Sequence, residues 1–449
     1  MLNAALFCSM SATFGSVAAA ELPRAGMLGV QLAPVTPEAA QAAGLDAAQG
    51  IQINGTFPGT PAEKAGIRQG DIFQKMNGED IADIPQFVRM MEKYHANDKL
   101  HFLVRRDGKS EEISFILSER PRESADDLNV LYDAVEVNGH LLRTIVTQPR
   151  KSGTSPAILF IPDLSPQSVD FWSANVNPPQ KSLLYGLTRA GFVTMRVEPS
   201  GVGDSQGPPA RDAALETYAD WYAAGVSRLR EYDFVDPQQV YLFSERMGSV
   251  VAPMVCKQAP VAGIVSFAGM GRNYIESRLS DTRRHNVMRQ VDPSENNEVV
   301  RSMARFLAEL CLNQKSPAEI VKEHPDMADF AAMLVQNEEY ILGHHYRFMQ
   351  SLGSLDPIAA WKGLNVNVLV LFGEADWVSG REDAEALANA INWERRRAKF
   401  VELPKTDGLY QKANDVEDSF LAGGAASEFN PEIIKVITQF VESTAKRAS

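Results

Sequence analysis

The chain has 449 residues, 45% of them hydrophobic and 22% charged, which is a globular composition too long for one ordinary domain. Lysine and arginine number 44 against 57 aspartates and glutamates, so the formal net charge is -13 at pH 7. This charge argues against nucleic acid or an anionic membrane as a partner, and ordinary solubility suffices to explain it.

Residues 1–20 contain no charged side chain and end in Ala18-Ala19-Ala20, small residues that suit cleavage before Glu21. The segment predicts a signal peptide and export to the periplasm or the medium. No later stretch offers the run of about 18 apolar residues that a membrane span needs, so none is expected. Cys256 and Cys311 are interpreted as buried apolar side chains.

A small first domain is predicted over residues 24–118. Its clearest motif is P-A-E-K-A-G-I-R-Q-G-D-I at 61–72, which predicts a short helix closed by Gly66 and a turn into a strand. Asn77-Gly78 marks a hairpin turn, and a second helix is predicted from Ile84. These residues resemble a bacterial PDZ domain, a small β-rich α+β fold.

The resemblance implies that this domain binds peptides. In PDZ domains, backbone N–H groups of one loop hold a partner's terminal carboxylate while the peptide adds a strand to the sheet edge. The corresponding loop here consists of Met27, Leu28, Gly29 and Val30. The expected partner is therefore a C-terminal peptide or protein; alternatively, the domain only packs against its neighbour.

Residues 119–128 are charged, contain one proline and lack an apolar period, which predicts a linker. The second domain is predicted over 129–445 and opens with a hairpin at Asn138-Gly139, a dipeptide that favours a type I′ turn. Apolar, β-branched runs then alternate with helical stretches, at 157–161, 192–197, 240–243, 263–267, 366–372 and 399–403. Such runs are typical of a parallel sheet covered by helices, hence an α/β fold.

Residues from about 273 to 361 interrupt this rhythm with helical stretches, one of which begins at a capping box between Ser316 and Glu319. The insertion's apolar positions are spaced for one helix face and are interpreted as core: Met303, Phe306, Leu307 and Leu310. His344 and His345 are interpreted as packing or surface residues.

The junction at 240–254 carries the main functional signal. An apolar run leads into Ser244-Glu245-Arg246-Met247-Gly248 and then into a helical stretch. In α/β-hydrolases this elbow reads G-x-S-x-G and lifts a serine hydroxyl above the sheet. Here the tip is Arg246, whose guanidinium stays protonated and cannot attack a carbonyl.

The hairpin, a glycine-rich turn from Glu198 to Ser205, the elbow and the later strand ending at Asp376 together resemble an α/β-hydrolase of the serine aminopeptidase-like branch. With the PDZ motif before it, the chain resembles a family of exported bacterial proteins. The resemblance implies an α/β-hydrolase fold in which residues 273–361 form a helical lid.

The resemblance also implies a nucleophile, an acid, a histidine and an oxyanion loop. Asp376 holds the acid position and Arg246 the nucleophile position. The histidine should follow the last strand, near Asp407, but all seven histidines precede Asp376. On the oxyanion loop, Pro162 lacks an N–H group and Asp163 places a carboxylate where negative charge would develop.

The missing groups predict an exported, catalytically impaired pseudohydrolase that acts by peptide or protein binding. The alternative is an active serine-hydrolase-like enzyme that cleaves ester or peptide bonds with an unconventional site. A third possibility is an adaptor whose cleft is filled by side chains. No cofactor or metal is expected.

A permanent cation at the elbow should need an acidic partner, because an unpaired buried charge is costly. We therefore expect a contact of about 2.7 to 2.9 Å between Arg246 and at least one of Asp376, Asp163 and Asp407.

Overall fold

A computed structural model describes residues 22–172, 177–425 and 427–448 of the chain. The predicted signal peptide lies outside these residues. None of the described helices combines the length and the apolar character that crossing a bilayer requires.

The first domain is a small antiparallel sheet with three short helices. Its elements in chain order are β1 (Gly26–Met27), β2 (Val30–Pro34), α1 (Pro37–Ala42), β3 (Ile51–Thr56), α2 (Pro61–Lys64), β4 (Ile72–Met76), β5 (Glu79–Asp80), α3 (Ile84–Met91), β6 (Lys99–Arg106), β7 (Lys109–Ile116) and β8 (Ser118–Glu119). The sheet order β2-β3-β4-β6-β7 places β2 at an edge. Phe73, Phe102 and Phe115 pack together in the core between sheet and helices.

The turns of this domain follow from its sequence. Gly66 ends the short helix with a φ of 77°, and Asn77 and Gly78 take φ values of 50° and 86° between β4 and β5. These left-handed conformations suit glycine and asparagine, as the motifs predicted.

The second domain contains the remaining elements. In chain order they are β9 (Leu128–Val137), β10 (His140–Pro149), β11 (Ser155–Ile161), α4 (Pro179–Arg189), β12 (Val193–Val197), α5 (Leu215–Leu229), β13 (Val235–Glu245), α6 (Gly248–Gln258), β14 (Gly263–Phe267), α7 (Tyr274–Met288), α8 (Pro293–Leu307), α9 (Pro317–Glu323), α10 (Ala328–Leu334), β15 (Val335–Gln336), β16 (Tyr340–Ile341), β17 (His344–His345), α11 (Tyr346–Ser354), α12 (Pro357–Lys362), β18 (Asn367–Gly373), α13 (Arg381–Asn392), β19 (Ala398–Leu403), α14 (Val416–Ala422) and α15 (Glu432–Ala448).

Eight of these strands form one mixed sheet in the order β19-β18-β14-β13-β11-β12-β10-β9. The six strands from β19 to β12 are parallel, and the antiparallel hairpin β9-β10 closes the β12 edge. Asn138 and Gly139 adopt φ values of 52° and 80° at the hairpin turn. The predicted α/β fold of hydrolase type is confirmed, and its parallel strands end at one edge, where ligands bind in such sheets.

The insertion between β14 and β18 contains α7 to α12. Its predicted core positions Met303, Phe306, Leu307 and Leu310 are all buried. The insertion also holds the two-residue strands β15, β16 and β17, which the sequence did not predict. Pairs this short have no alternating pattern to detect; their turn is made by Asn337 and Glu338, both at positive φ.

The segment predicted to be a linker is bonded to the second domain and is not a free tether. Glu123 is 5% exposed, and it accepts hydrogen bonds of 2.7 Å from both the Tyr185 hydroxyl and the Arg196 guanidinium. Asp127 pairs with Arg189 at 2.7 Å. The charged residues that made this segment look like a solvated linker therefore form ion pairs with the second domain.

Candidate functional site

The elbow has the strained geometry of a nucleophile turn with an arginine at its tip. Arg246 lies between β13 and α6 with a φ of 45°, a conformation that costs a non-glycine residue about 1 kcal/mol or more. Two residues later the turn needs a glycine at position 248, because a Cβ on Gly248 would lie 2.3 Å from the Pro162 carbonyl oxygen. The serine of this fold is thus replaced without loss of the turn.

Arg246 donates from Nη2 to the Gly408 carbonyl oxygen at 2.6 Å, and its buried Nε has no partner among the described residues. Within the described chain, no carboxylate oxygen lies within the 4.0 Å ion-pair distance of this guanidinium. The predicted contact of Arg246 with Asp376, Asp163 or Asp407 is therefore wrong.

Backbone amides explain why the carboxylates do not reach the arginine. Asp376 Oδ1 accepts the amides of Val378 and Ser379 at 2.8 and 3.1 Å. Asp407 Oδ1 accepts the amides of Leu409 and Gln411 at 2.8 and 2.7 Å. Each turn fixes its own carboxylate, so the guanidinium takes a carbonyl instead.

The acidic groups still act on Arg246 through space. Burial disfavours its charged form, yet Asp376, Asp163, Glu245 and Asp407 outweigh burial and raise the pKa of Arg246. Burial raises the pKa of Asp376, Asp163 and Asp407 while Arg246 opposes the shift, and burial raises the pKa of Glu245 to about 7. The site is one cation held among four carboxyl groups.

Two backbone amides beside the elbow donate to carboxylates of the protein itself. In this fold the amide after the nucleophile and an amide on the loop after β11 stabilise the developing oxyanion. Here the Met247 amide donates to Asp163 Oδ1 at 3.1 Å, and the Asp163 amide donates to Glu245 Oε1 at 3.2 Å. The Tyr410 hydroxyl donates to Glu245 Oε2. The amides that follow Arg246 and Pro162 thus both donate to carboxylates of the chain.

Gly408, directly after Asp407, holds the position at which the family resemblance implies a histidine. A Cβ on Gly408 would lie 2.4 Å from Asp376 Oδ1 and 2.8 Å from Arg246 Nη2. The Asp376 carboxylate and the Arg246 guanidinium therefore both lie against Gly408.

Other candidate groups are engaged elsewhere. Ser249 Oγ donates to the Arg246 carbonyl oxygen at 2.6 Å, and buried Ser244 faces the Val265 carbonyl oxygen at 3.4 Å. His344 is buried, stacks on Phe348 with ring centroids 4.0 Å apart, and places Nε2 3.1 Å from the Leu164 carbonyl oxygen. All three side chains thus face backbone carbonyl oxygens of the protein.

Open space remains on two sides of the elbow. A cavity of about 450 Å³ is lined by Phe171, Trp172, Gln180 and Glu245 together with Asp163 and Arg246. A second, of about 180 Å³, lies under the lid and shares Asp163 and Arg246 with the first. The cleft is therefore not filled by side chains. Among the described residues, no His, Cys, Asp and Glu group of three or more is arranged for a metal ion.

Sequence reasoning missed Gly408, Glu245 and Tyr410 as parts of this site. Glu245 was detectable in principle, because it ends a buried strand and such a carboxylate needs partners. Tyr410 offered no local signal, since its contact with Glu245 spans a sequence separation of 165 residues.

The loop between β1 and β2 leaves two backbone amides unpaired within the described residues. The carbonyl oxygens of Leu28 and Gly29 accept hydrogen bonds from Ala62 and Phe57, whereas their amides have no partner among the described residues. Gly29 has a φ of 83°, and a Cβ there would lie 2.3 Å from Thr60. Met27 belongs to β1, and Val30 opens the edge strand β2.

Comparison with known proteins agrees with this division. Residues 26–117 match the PDZ domain family. The chain is 38% identical over 96 residues to a probable periplasmic serine endoprotease DegP-like of Marinomonas sp. (strain MWYL1), covering 21% of this chain and 20% of that protein. It is 23% identical over 252 residues to the esterase EstD of Thermotoga maritima, covering 56% and 53%.

Two solved structures are also similar. One is Est1E from Butyrivibrio proteoclasticus, with a TM-score of 0.42, 12% identity and coverage of 69% of this chain and 99% of that one. The other is the Pyrococcus horikoshii acylaminoacyl peptidase, with a TM-score of 0.45, 9% identity and coverage of 77% and 54%.

The chain thus spans about a fifth of the length of the DegP-like relative and about half of EstD. Residues 26–117 are a PDZ domain, and the chain continues into a domain with an α/β-hydrolase-like fold.

Proposed function

We propose that this protein binds and does not hydrolyse: its PDZ domain takes the C-terminus of a peptide or protein, and its hydrolase-fold domain is a pseudohydrolase. The observation that carries the proposal is the Met247 amide, which donates to Asp163 Oδ1 at 3.1 Å and is thereby withdrawn from substrate. The Arg246 guanidinium, bonded to Gly408, fills the place of the base.

The size of the expected loss supports this reading. Removing one member of a serine triad lowers turnover on the order of a million-fold, and the residual rate depends on binding and the oxyanion hole. In this chain the serine and the histidine are both absent, and an internal carboxylate occupies an oxyanion donor. The chain therefore lacks both the serine-histidine pair and a free set of oxyanion donors.

Export is part of the proposal. The uncharged segment 1–20 has the composition of a signal peptide, and the DegP-like relative is named as a periplasmic protein. A periplasmic or secreted PDZ protein would meet protein C-termini outside the cytoplasm.

A fluorophosphonate probe, which reacts with activated serines, tests the hydrolase half. We expect no labelling of the native protein, and turnover of generic ester and aminopeptidase substrates equal to that of R246A. A serine esterase incubated in parallel shows that the probe is reactive. Labelling of the native protein, or a clear loss of turnover in R246A, would instead support an active enzyme in which Arg246 clamps substrate.

A further inference from the structure

Three neighbouring connections of the hydrolase-fold domain carry an unusual concentration of positive charge. They enter β14, β18 and β19, which are adjacent in the sheet, from α6, α12 and α13. Residues 257–262, 362–366 and 393–397 together hold five basic residues and one acidic residue: Lys257, Lys362, Arg395, Arg396, Arg397 and Glu394. We name these basic residues, with Trp393, the basal rim.

The charges of the basal rim are available to a partner. Lys257, Lys362, Arg395 and Arg396 are exposed, and Arg397 is half-buried. Glu394 is paired with Lys362 at 3.0 Å, and within the described residues none of the three arginines lies within 4.0 Å of a carboxylate. The rim is therefore cationic although the chain carries a net charge of -13.

An apolar group accompanies this charge. Trp393 is 80% exposed at the end of α13, the highest exposure among the large apolar side chains of the described residues. An exposed indole leaves a large apolar surface in water, and burying that surface against a partner is favourable. Tryptophan has its preferred place at the boundary between lipid headgroups and acyl chains.

We propose that the basal rim docks on an anionic lipid surface. Each basic side chain near such a surface contributes about 1 kcal/mol, and the indole adds an interfacial anchor. The overall negative charge does not prevent this contact, because charges more than about 8–10 Å away are screened at physiological ionic strength. A single exposed indole beside exposed basic side chains suits a membrane better than a single nucleic acid strand, which needs a basic groove with successive stacking rings.

The position of the rim sets the orientation of the docked protein. The elbow, Asp376 and Asp407 follow the C-terminal ends of the parallel strands, whereas the basal rim precedes their N-terminal ends. The PDZ domain lies on the cleft side, where Arg24 before β1 pairs with Asp204 after β12. Docking through the rim would leave the PDZ domain and the cleft on the side of the sheet away from the lipid. The inference is independent of the proposed loss of hydrolysis.

The test is flotation of the purified full chain with vesicles of phosphatidylcholine alone or mixed with phosphatidylglycerol. We expect binding only to the mixed vesicles, lost at high salt. R395A/R396A should lower the partition coefficient about 30-fold, from two basic contributions, and W393A should lower it several-fold. The matched controls R301A/R347A and M333A alter exposed lid residues and should bind like the native protein.

Thermal unfolding of each variant checks that it is folded. Absence of native binding, equal binding to both vesicle types, or unchanged binding by R395A/R396A would overturn the proposal. Binding to a single-stranded oligonucleotide with the same dependence on Arg395 and Arg396, but not to vesicles, would assign the rim to nucleic acid instead.

Discussion

At the scale of single residues, the site is defined by a substitution and by the backbone around it. Arg246 was evident from the sequence, because the elbow has a fixed order of strand, turn and helix. The hydrogen-bond partner of Arg246 was not evident from the sequence, because the carboxylates of Asp376 and Asp407 are held by backbone amides of their own turns. The backbone geometry of each turn decides whether its carboxylate can reach the guanidinium, and this geometry cannot be read from the spacing of residues in the sequence.

Gly408 should be sensitive to the smallest side chain. G408A would place a methyl group 2.4 Å from Asp376 Oδ1 and 2.8 Å from Arg246 Nη2, while the φ of Gly408 lies outside the left-handed range. We expect a loss of about 1–3 kcal/mol in the free energy of unfolding, from overpacking alone. Urea unfolding measures it.

Repeating G408A in the R246A background separates the contact with Arg246 from the contact with Asp376. In that background G408A should lower the free energy of unfolding by less, with a coupling energy of about 0.5–3 kcal/mol in a double-mutant cycle. G363A is the matched control, because its Cβ would have no neighbour nearer than 3.6 Å. Equal costs of G408A in both backgrounds would show that Arg246 does not occupy the place of the histidine.

At the scale of elements, the helix α3 lies beside the edge strand β2, and we propose that the peptide groove runs between them. Ile84, Val88 and Met91 lie on one face of α3, and Val88 is 46% exposed. On the face next to the second domain, Arg89 and Met90 line a cleft of about 570 Å³ with Gly203 and Gln206. One helix therefore serves the groove and the domain contact.

V88D should weaken binding of C-terminal peptides at least about tenfold, because burial of a valine side chain stabilises by roughly 1.5 kcal/mol and a carboxylate would also repel the peptide terminus. Fluorescence polarisation with a library of hydrophobic C-terminal peptides measures this, and amidated peptides should not bind. R89D, on the opposite face, should bind like the native protein. Equal affinity for amidated peptides would contradict carboxylate capture by residues 27–30.

Sequence reasoning worked best for elements with a strong local pattern. The six parallel strands and the Asn138-Gly139 hairpin were predictable because burial on both faces and positive φ leave traces in neighbouring residues. Residues 119–128 were predicted as a linker because a charged, aperiodic segment looks alike whether its charges face water or buried partners. That Glu123 faces buried partners is evident only from its hydrogen bonds to Tyr185 and Arg196, which are distant in sequence.

At the scale of the whole molecule, one arginine joins the parts. Arg24 precedes β1, and its side chain is 1% exposed. Its Nη1 contacts Asp170 at 2.9 Å and Asp204 at 2.6 Å, on two loops of the hydrolase-fold domain. Its Nη2 donates to the Pro121 carbonyl oxygen at 2.6 Å, after the PDZ domain. This buried side chain thus ties the segments entering and leaving the PDZ domain to the second domain, in addition to the contacts of Glu123 and Asp127.

R24A should therefore uncouple the two domains. The substitution leaves Asp170 without its cation, and removing one partner of a buried ion pair costs about 3–5 kcal/mol. In calorimetry we expect the native chain to unfold in one transition, and R24A to show a separate transition of lower temperature for the PDZ domain. R68A is the matched control: Arg68 pairs with Asp107 at 2.8 Å, but these side chains are 60% and 83% exposed, so the loss should be at most about 1 kcal/mol. The same thermogram for R24A and R68A would show that the Arg24 contacts do not hold the domains together, and the PDZ domain would then have to be treated as an independent module.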